Sequence, residues 1–221
     1  MVKKIYIDPG HSDRDPGAVG YAVERDLNEK TAKFMNEYLQ ATYVCETKVD
    51  PITNNSVKQI TDNANAWGAD LLVSIHNNAG GGDGYEALVY SSKNKPLGQM
   101  FEKHVKAIGQ NSRGVKYRPD LGVLRLSHMP AVLNEGAFVD NLKDIQDWND
   151  DAELKKLGIA YADACAEWLK LEKKPATVDP EEDDVIYRVQ VGAFRNRDYA
   201  ESLQRTLKSA GFESFIVKSE K

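Results

Sequence analysis

The chain reads as an α/β protein with a twisted, mostly parallel or mixed sheet flanked by helices on both faces, followed by a small C-terminal β-α-β unit. Three observations lead there. Short β-rich runs alternate with helix-length amphipathic segments from the N-terminus to about residue 171, the spacing of strands joined by crossover helices. Leu71–Ile75 is almost continuously apolar and bounded by polar residues, as a strand covered on both faces must be. The composition then changes between Glu172 and Asp184, where Pro175, Pro180 and the run Glu181-Glu182-Asp183-Asp184 form a polar, self-repelling stretch. We therefore expect a first domain over 1–171, a linker over 172–184 and a second module over 185–221.

In order, Lys3–Ile7 is the first strand and Asp8 to Glu24 a loop. Asp26–Gln40 follows a 3.6-residue period through Leu27, Thr31, Phe34 and Tyr38 and is a helix. Thr42–Thr47 is a strand, and Asn54–Trp67 a helix stopped by Gly68. After the Leu71–Ile75 strand, Gly80 to Gly84 is a turn into the strand Tyr85–Tyr90. Lys95–Gly109 is a helix, Val123–Leu126 and Ala131–Asn134 are short strands, and Ala152–Leu171 is the longest amphipathic helix. In the tail, Val185–Ala193 alternates as a half-buried strand and Asp198–Ala210 is a helix opened by an Asp198/Glu201 capping box. Phe212–Lys218 is the return strand. A single β-α-β unit of this size rarely stands alone and leaves an unpaired strand edge, so pairing of two tails into a homodimer is expected.

Composition excludes several function classes. Apolar residues are 41% and charged residues 29% of 221, enough apolar material for a core and too ordinary for disorder. No apolar run approaches the ~20 residues that span a bilayer, so membrane insertion is not expected. Asp8 interrupts the N-terminal apolar segment before a signal-peptide core could form. This places synthesis in the cytoplasm without a signal peptide. Net charge is −5 overall, with seven Lys/Arg against four Asp/Glu in 185–221, too mild a basic bias for a nucleic-acid partner. Cys45 and Cys165 lack metal-ligand spacing and sit in apolar patterns, so both read as core residues. No Gly-x-Ser-x-Gly elbow is present, which argues against a serine hydrolase.

Two of the four histidines stand where strands run out into polar sequence: His11 in Asp8-Pro9-Gly10-His11 and His76 in Ser74-Ile75-His76-Asn77-Asn78-Ala79. Sites of α/β sheets gather at the carboxyl ends of strands. With Glu24 at the end of the loop after His11, they make the two-imidazole, one-carboxylate set of a catalytic zinc with a fourth position open. Glu135, after the strand Ala131–Asn134, is the candidate general acid/base. Asn78 and His128 are candidates for lining the substrate cleft, while His104 lies mid-helix and reads as a surface residue. A histidine beside a turn is ordinarily just solvated; here the convergence of four groups argues for the metal.

Ile7-Asp8-Pro9-Gly10-His11, Glu24-Arg25-Asp26-Leu27-Asn28, Ser74-Ile75-His76-Asn77-Asn78-Ala79 and Val132-Leu133-Asn134-Glu135-Gly136-Ala137-Phe138 together resemble the signatures of zinc-dependent N-acetylmuramoyl-L-alanine amidases of the amidase_3 type. The resemblance covers about residues 1–170. It implies that His11, Glu24 and His76 bind one zinc ion and that Glu135 is catalytic. The bond cleaved would be the amide between N-acetylmuramic acid and L-alanine of peptidoglycan. Asn77 stands where the family usually has Ala, Gly136-Ala137 departs from its Thr-Gly or Asn-Gly, and an Arg that some members carry near Thr61 or Asp62 is absent.

Tyr187-Arg188-Val189-Gln190-Val191-Gly192-Ala193-Phe194 with Ala200, Glu201 and Leu203 looks like the opening half of a SPOR domain, which implies binding to peptidoglycan glycan strands. The combination resembles autolysins that lyse the mother cell of spore formers, and phage endolysins, acting on the wall after the membrane is permeabilised. With no inserted inhibitory helix in the sequence, constitutive activity is expected. A zinc peptidase cutting within the stem peptide, and a wall-binding protein without turnover, are the competing readings.

Overall fold

The computed structural model describes residues 2–53, 55–175 and 189–218. It divides into two units, 1–175 and 176–221. In the first, six strands form one sheet: β1 (Lys3–Pro9), β2 (Cys45–Val49), β3 (Leu71–Asn78), β4 (Tyr85–Val89), β5 (Ser112–Tyr117) and β6 (Ala131–Phe138), in the order β2-β1-β3-β6-β4-β5. β2, β1, β3 and β6 are parallel, β4 runs antiparallel to β6, and β5 runs parallel to β4. The sheet is mixed, as expected.

Among the described residues, six α-helices belong to this unit: α1 (Glu24–Thr42), α2 (Val57–Trp67), α3 (Lys95–Ala107), α4 (Gly122–Arg125), α5 (Leu142–Asp147) and α6 (Asp151–Leu169). Strand alternation sorts side chains onto two faces. Ile5, Ile7, Leu71, Val73, Ile75 and Val132 pack in one cluster with Met35 and Leu39 of α1, Phe101 of α3 and Tyr161 and Cys165 of α6. Tyr6, Leu72, Leu88 and Leu133 pack in a second cluster with Ala64 of α2 and Leu124 of α4. Helices thus cover both faces. α1 lies over the first face and α2 over the second, while β2 and β3 flank β1 on opposite sides. The connections therefore diverge between β1 and β3, a topological switch point where such sheets open a crevice.

Local sequence explains most boundaries. α2 begins with a capping box in which the Ser56 side chain accepts from Gln59 N–H and Gln59 accepts from Ser56 N–H, and it ends at Gly68 in the left-handed region at φ 70°. α6 begins with the Asp150 carboxylate accepting from Glu153 N–H. Both cysteines remain free thiols, with Cys165 fully buried.

Some expectations need correction. Val123–Leu126 is not a strand: Val123–Arg125 belong to the single-turn helix α4 and Leu126 caps it, and four residues carry no period that separates the two. Strand β5 escaped detection because it is a half-exposed edge strand with a charged residue at Arg113 and a left-handed Gly114 at φ 87°, where the register with β4 shifts. β3 and β6 run three and four residues further than expected, because polar side chains continue a ladder that neighbouring strands still pair. Helix α5, capped by the Asn141 side chain, was also not anticipated.

In the second unit, helix α7 (Arg197–Ser209) is capped by Asn196 accepting from Asp198 N–H, not by Asp198; Glu201 instead pairs with Arg197 at 2.8 Å. The expected strands do not form among the described residues: 189–193 and 212–218 have no ladder. Val189, Phe212 and Phe215 are exposed, so these segments lack the packed partner that a short strand requires. Val185 to Arg188, and the acidic part of the expected linker, lie outside the described residues.

Candidate functional site

The carboxyl ends of β1, β3 and β6 and the first turn of α1 meet at the switch point. His11 follows β1 in the left-handed region at φ 72°, a conformation costly for a non-glycine residue and typical of functional sites. Its Nδ1 faces Asp15 Oδ2 at 2.9 Å, which leaves Nε2 directed at Glu24 Oε1, 3.0 Å away. His76, inside β3, directs Nδ1 at the same Glu24 oxygen, also at 3.0 Å. One nitrogen from each imidazole and one oxygen of Glu24 lie within 4.8 Å of one another. The two rings stand nearly edge to face, with centroids 5.0 Å apart.

Glu24 is not a loop residue, as expected, but the first residue of α1, where the helix dipole favours a carboxylate. Ala18 N–H donates to Oε2 at 2.8 Å and Asn77 N–H to Oε1 at 3.1 Å. Burial works against its charge, yet the hydrogen bonds from His11 and His76 hold its pKa well below the usual carboxylate range. The His11 imidazole is raised to about 9, chiefly by its contact with Glu24. Burial opposes protonation of His76, but Glu24 and Glu135 outweigh it and the net shift is upward.

The cluster is shaped by absent side chains. A Cβ on Gly10 would stand 2.3 Å from His76 Nε2, and one on Gly17, itself at φ +68°, would stand 2.5 Å from His11 Cδ2 and 2.6 Å from Glu24 Oε2. Asn28, one helical turn after Glu24 and fully buried, braces both histidine segments. Its amide donates to Gly10 O at 3.1 Å and its carbonyl accepts from Asn77 at 2.8 Å.

Glu135 lies within β6, its Cα in register with His76 on one side and Glu86 of β4 on the other. Its Oε2 is buried with no hydrogen-bond partner among the described residues, and burial lifts its pKa to about 7. A buried carboxylate poised near neutrality, beside a cationic site, is suited to taking up and giving back a proton. Two imidazole nitrogens and one carboxylate oxygen also match the ligand chemistry of zinc.

Residues 5–167 match the Amidase_3 model, described as N-acetylmuramoyl-L-alanine amidase. The chain belongs to this family.

As an Amidase_3 member it is similar along nearly all its length to N-acetylmuramoyl-L-alanine amidase CwlM of Bacillus licheniformis, with 34% identity covering 97% of this chain and 84% of that one. It is 31% identical to the sporulation-specific N-acetylmuramoyl-L-alanine amidase of Bacillus subtilis strain 168, with the same coverage. The solved catalytic domain of CwlV, an N-acetylmuramoyl-L-alanine amidase from Bacillus (Paenibacillus) polymyxa var. colistinus, superposes with a TM-score of 0.73 at 28% identity. That match covers 77% of this chain and all of that one. Residues 160–218 match the SPOR domain model, so the second match begins inside α6.

Within the amidase domain, His11, Glu24, His76 and Glu135 come together as expected from sequence. Asn78 is also at the site, donating to Glu86 Oε2 at 3.3 Å. His128 is not: it precedes the opposite end of β6 from Glu135. Its N–H is bound by Asn65 at 2.9 Å, and it lines a separate cavity of about 560 Å³ with Lys58 and Asp62. Sequence reading missed Asp15, Asn28 and Glu86. Asn28 left a signal, a polar residue at i+4 from Glu24 on the helix face that buries Leu27 and Thr31. Glu86 left none, since its role depends on strand order.

Proposed function

We propose that this amidase carries one zinc ion held by His11 Nε2, Glu24 and His76 Nδ1, and that Glu135 is its general base and acid. The observation that carries the reading is convergence: three donor atoms within 4.8 Å, with the unpartnered, buried oxygen of Glu135 one strand away. Zinc, when bound there, supplies Lewis-acid chemistry that acidifies water and polarises a carbonyl. Asp15 fixes the tautomer of His11, and Asn28 keeps the two histidine segments in register. Glu135 takes a proton from the attacking water at Oε2 and returns it to the departing alanine nitrogen. The scissile bond is the amide between the lactyl group of N-acetylmuramic acid and L-alanine.

The protein acts on the cell wall, and among its described residues no helix is long and apolar enough to cross a membrane. The SPOR-matching segment serves to hold glycan strands near the amidase domain. Exposed Val189, Val191, Phe212 and Phe215 support pairing of two tails, which light scattering of the full chain would detect as a dimer.

Mass spectrometry of products from purified peptidoglycan tests the mechanism. Free stem peptides beginning at L-alanine, abolished by a chelator and restored by zinc, are the expected result. Cuts inside the stem would assign the site to a peptidase instead.

A further inference from the structure

Charge runs in a row across the sheet from the proposed metal centre to its edge. His76 on β3, Glu135 on β6 and Glu86 on β4 are successive register partners and share one face. On β5, the edge strand, the shift in register beside Gly114 lets Arg113 and Lys116 both reach that face and both contact Glu86 Oε1, Arg113 Nε at 2.5 Å.

Glu86 is 5% exposed, and its other oxygen is held by Asn78. Two cations meet on this one buried carboxylate, and neither has another carboxylate within 4.0 Å among the described residues. The Arg113 guanidinium also lies 5.3 Å from the centre of the Phe138 ring. It is thus fixed by β4 and β6 while spending only Nε on protein. Its Nη1 and Nη2 amines have no hydrogen-bond partner among the described residues, and both cationic side chains remain 43% exposed. Arg118, further along, is engaged in a fork with Asp120 and does not share this geometry.

We propose that Arg113 and Lys116, clamped on Glu86, form a subsite for a carboxylate on the peptide side of the scissile bond. The two strand spacings from β6 to β5 amount to about 10 Å, and the guanidinium reaches back toward Glu86, one spacing of about 5 Å from Glu135. With an extended peptide rising about 3.3 Å per residue, the anion falls on the residue after the alanine. The alanine's own carboxyl is consumed in the next peptide bond. The planar fork of Arg113 suits two-point binding of a carboxylate, and Lys116 adds a point charge. The amidase would therefore distinguish stems whose second residue is acidic, with one carboxyl joined onward and the other free, from those in which that second carboxyl is amidated. This rests on the amidase reading for its substrate, not for its geometry.

The test is calorimetric binding of two otherwise identical muramoyl tripeptides with an acidic second residue, its carboxyl outside the peptide chain free or amidated, to full-length protein carrying Glu135→Gln to prevent turnover. Expected is a preference of about five- to tenfold for the free acid, in line with a charge-assisted hydrogen bond at a partly exposed site, shrinking as salt is raised. Adding Lys116→Gln should reduce the preference, and adding Arg113→Gln should abolish it. Arg113→Lys, which keeps the charge but loses the planar fork, should retain only part. Thermal melts identify any variant that fails to fold, leaving Lys116→Gln and Arg113→Lys to decide. Equal affinity for the two peptides in the parent, or a preference untouched by these substitutions, overturns the proposal. Turnover by the zinc-loaded protein without Glu135→Gln separates the two readings. Selective binding without cleavage at the muramoyl amide would sink the amidase reading and leave the subsite standing. Cleavage of both tripeptides with equal KM would do the reverse.

Discussion

His76 and Glu135 are register partners on adjacent parallel strands, β3 and β6. A histidine of the proposed metal centre and the proposed proton carrier are therefore held one strand spacing apart by the backbone ladder of the sheet rather than by flexible loops. Such an arrangement is rigid enough to keep a base within reach of a reacting water.

Each of His11→Ala, Glu24→Ala and His76→Ala should abolish stoichiometric zinc, measured by elemental analysis of dialysed protein, and reduce turnover by at least about a hundredfold. The unsubstituted protein should gain about 2.7 kcal/mol of stability at zinc a hundredfold above its Kd, seen as a higher Tm that a chelator reverses. Substitutions that leave metal content at one per chain would show that these residues are not its ligands.

Glu135→Gln should separate chemistry from binding. The isostere keeps the shape of the site, so zinc content and Tm should be preserved while kcat falls by about 10² to 10⁴. Loss of zinc with loss of activity would instead make Glu135 a structural element of the metal site.

The same residue sets a pH dependence. Burial raises the Glu135 pKa to about 7, and a base must be ionised to work, so activity is low when the carboxyl is protonated and rises with pH. A bound cation nearby favours the ionised form. The acid limb of kcat should accordingly lie between about 7 and the ordinary carboxylate value, and should be absent from the residual rate of Glu135→Gln.

Gly10→Ala and Gly17→Ala should cripple metal binding without removing a ligand. The added methyl groups would stand 2.3 Å from His76 Nε2 and 2.6 Å from Glu24 Oε2, and at Gly17 the φ of +68° adds backbone strain. A zinc Kd raised by more than about tenfold is expected, measured against a chromophoric chelator.

Asn28→Ala should cost about 1–3 kcal/mol, because it leaves the Gly10 carbonyl and the Asn77 amide buried without partners. Urea denaturation should show a lower midpoint at unchanged slope. An unaltered midpoint would mean that Asn28 braces nothing.

The sequence by itself determined which groups could do chemistry and roughly where they stand. Hydrophobic periodicity placed β1, β3, α1, α2 and α6, and the polar residues that interrupt those patterns at His11, Glu24, His76 and Glu135 are the ones that meet. Local pattern was enough for His11, Glu24 and His76, which sit at or near the ends of buried elements where the change from apolar to polar is sharp, while Glu135 stands out as a single charge inside the otherwise buried β6.

Only the tertiary structure decided the rest. Whether Val123–Leu126 is strand or helix depends on what covers it, and that is α2. β5 exists because β4 offers it an edge, and the half-exposed pattern of β5 says little alone. His128 and Glu135 are close in sequence, yet a strand separates them, since β6 carries the chain about 13 Å between Ala131 and Glu135 at ~3.3 Å per residue. Glu86 joins the site only because β4 inserts antiparallel beside β6, and strand order is a property of long-range pairing that no local pattern encodes.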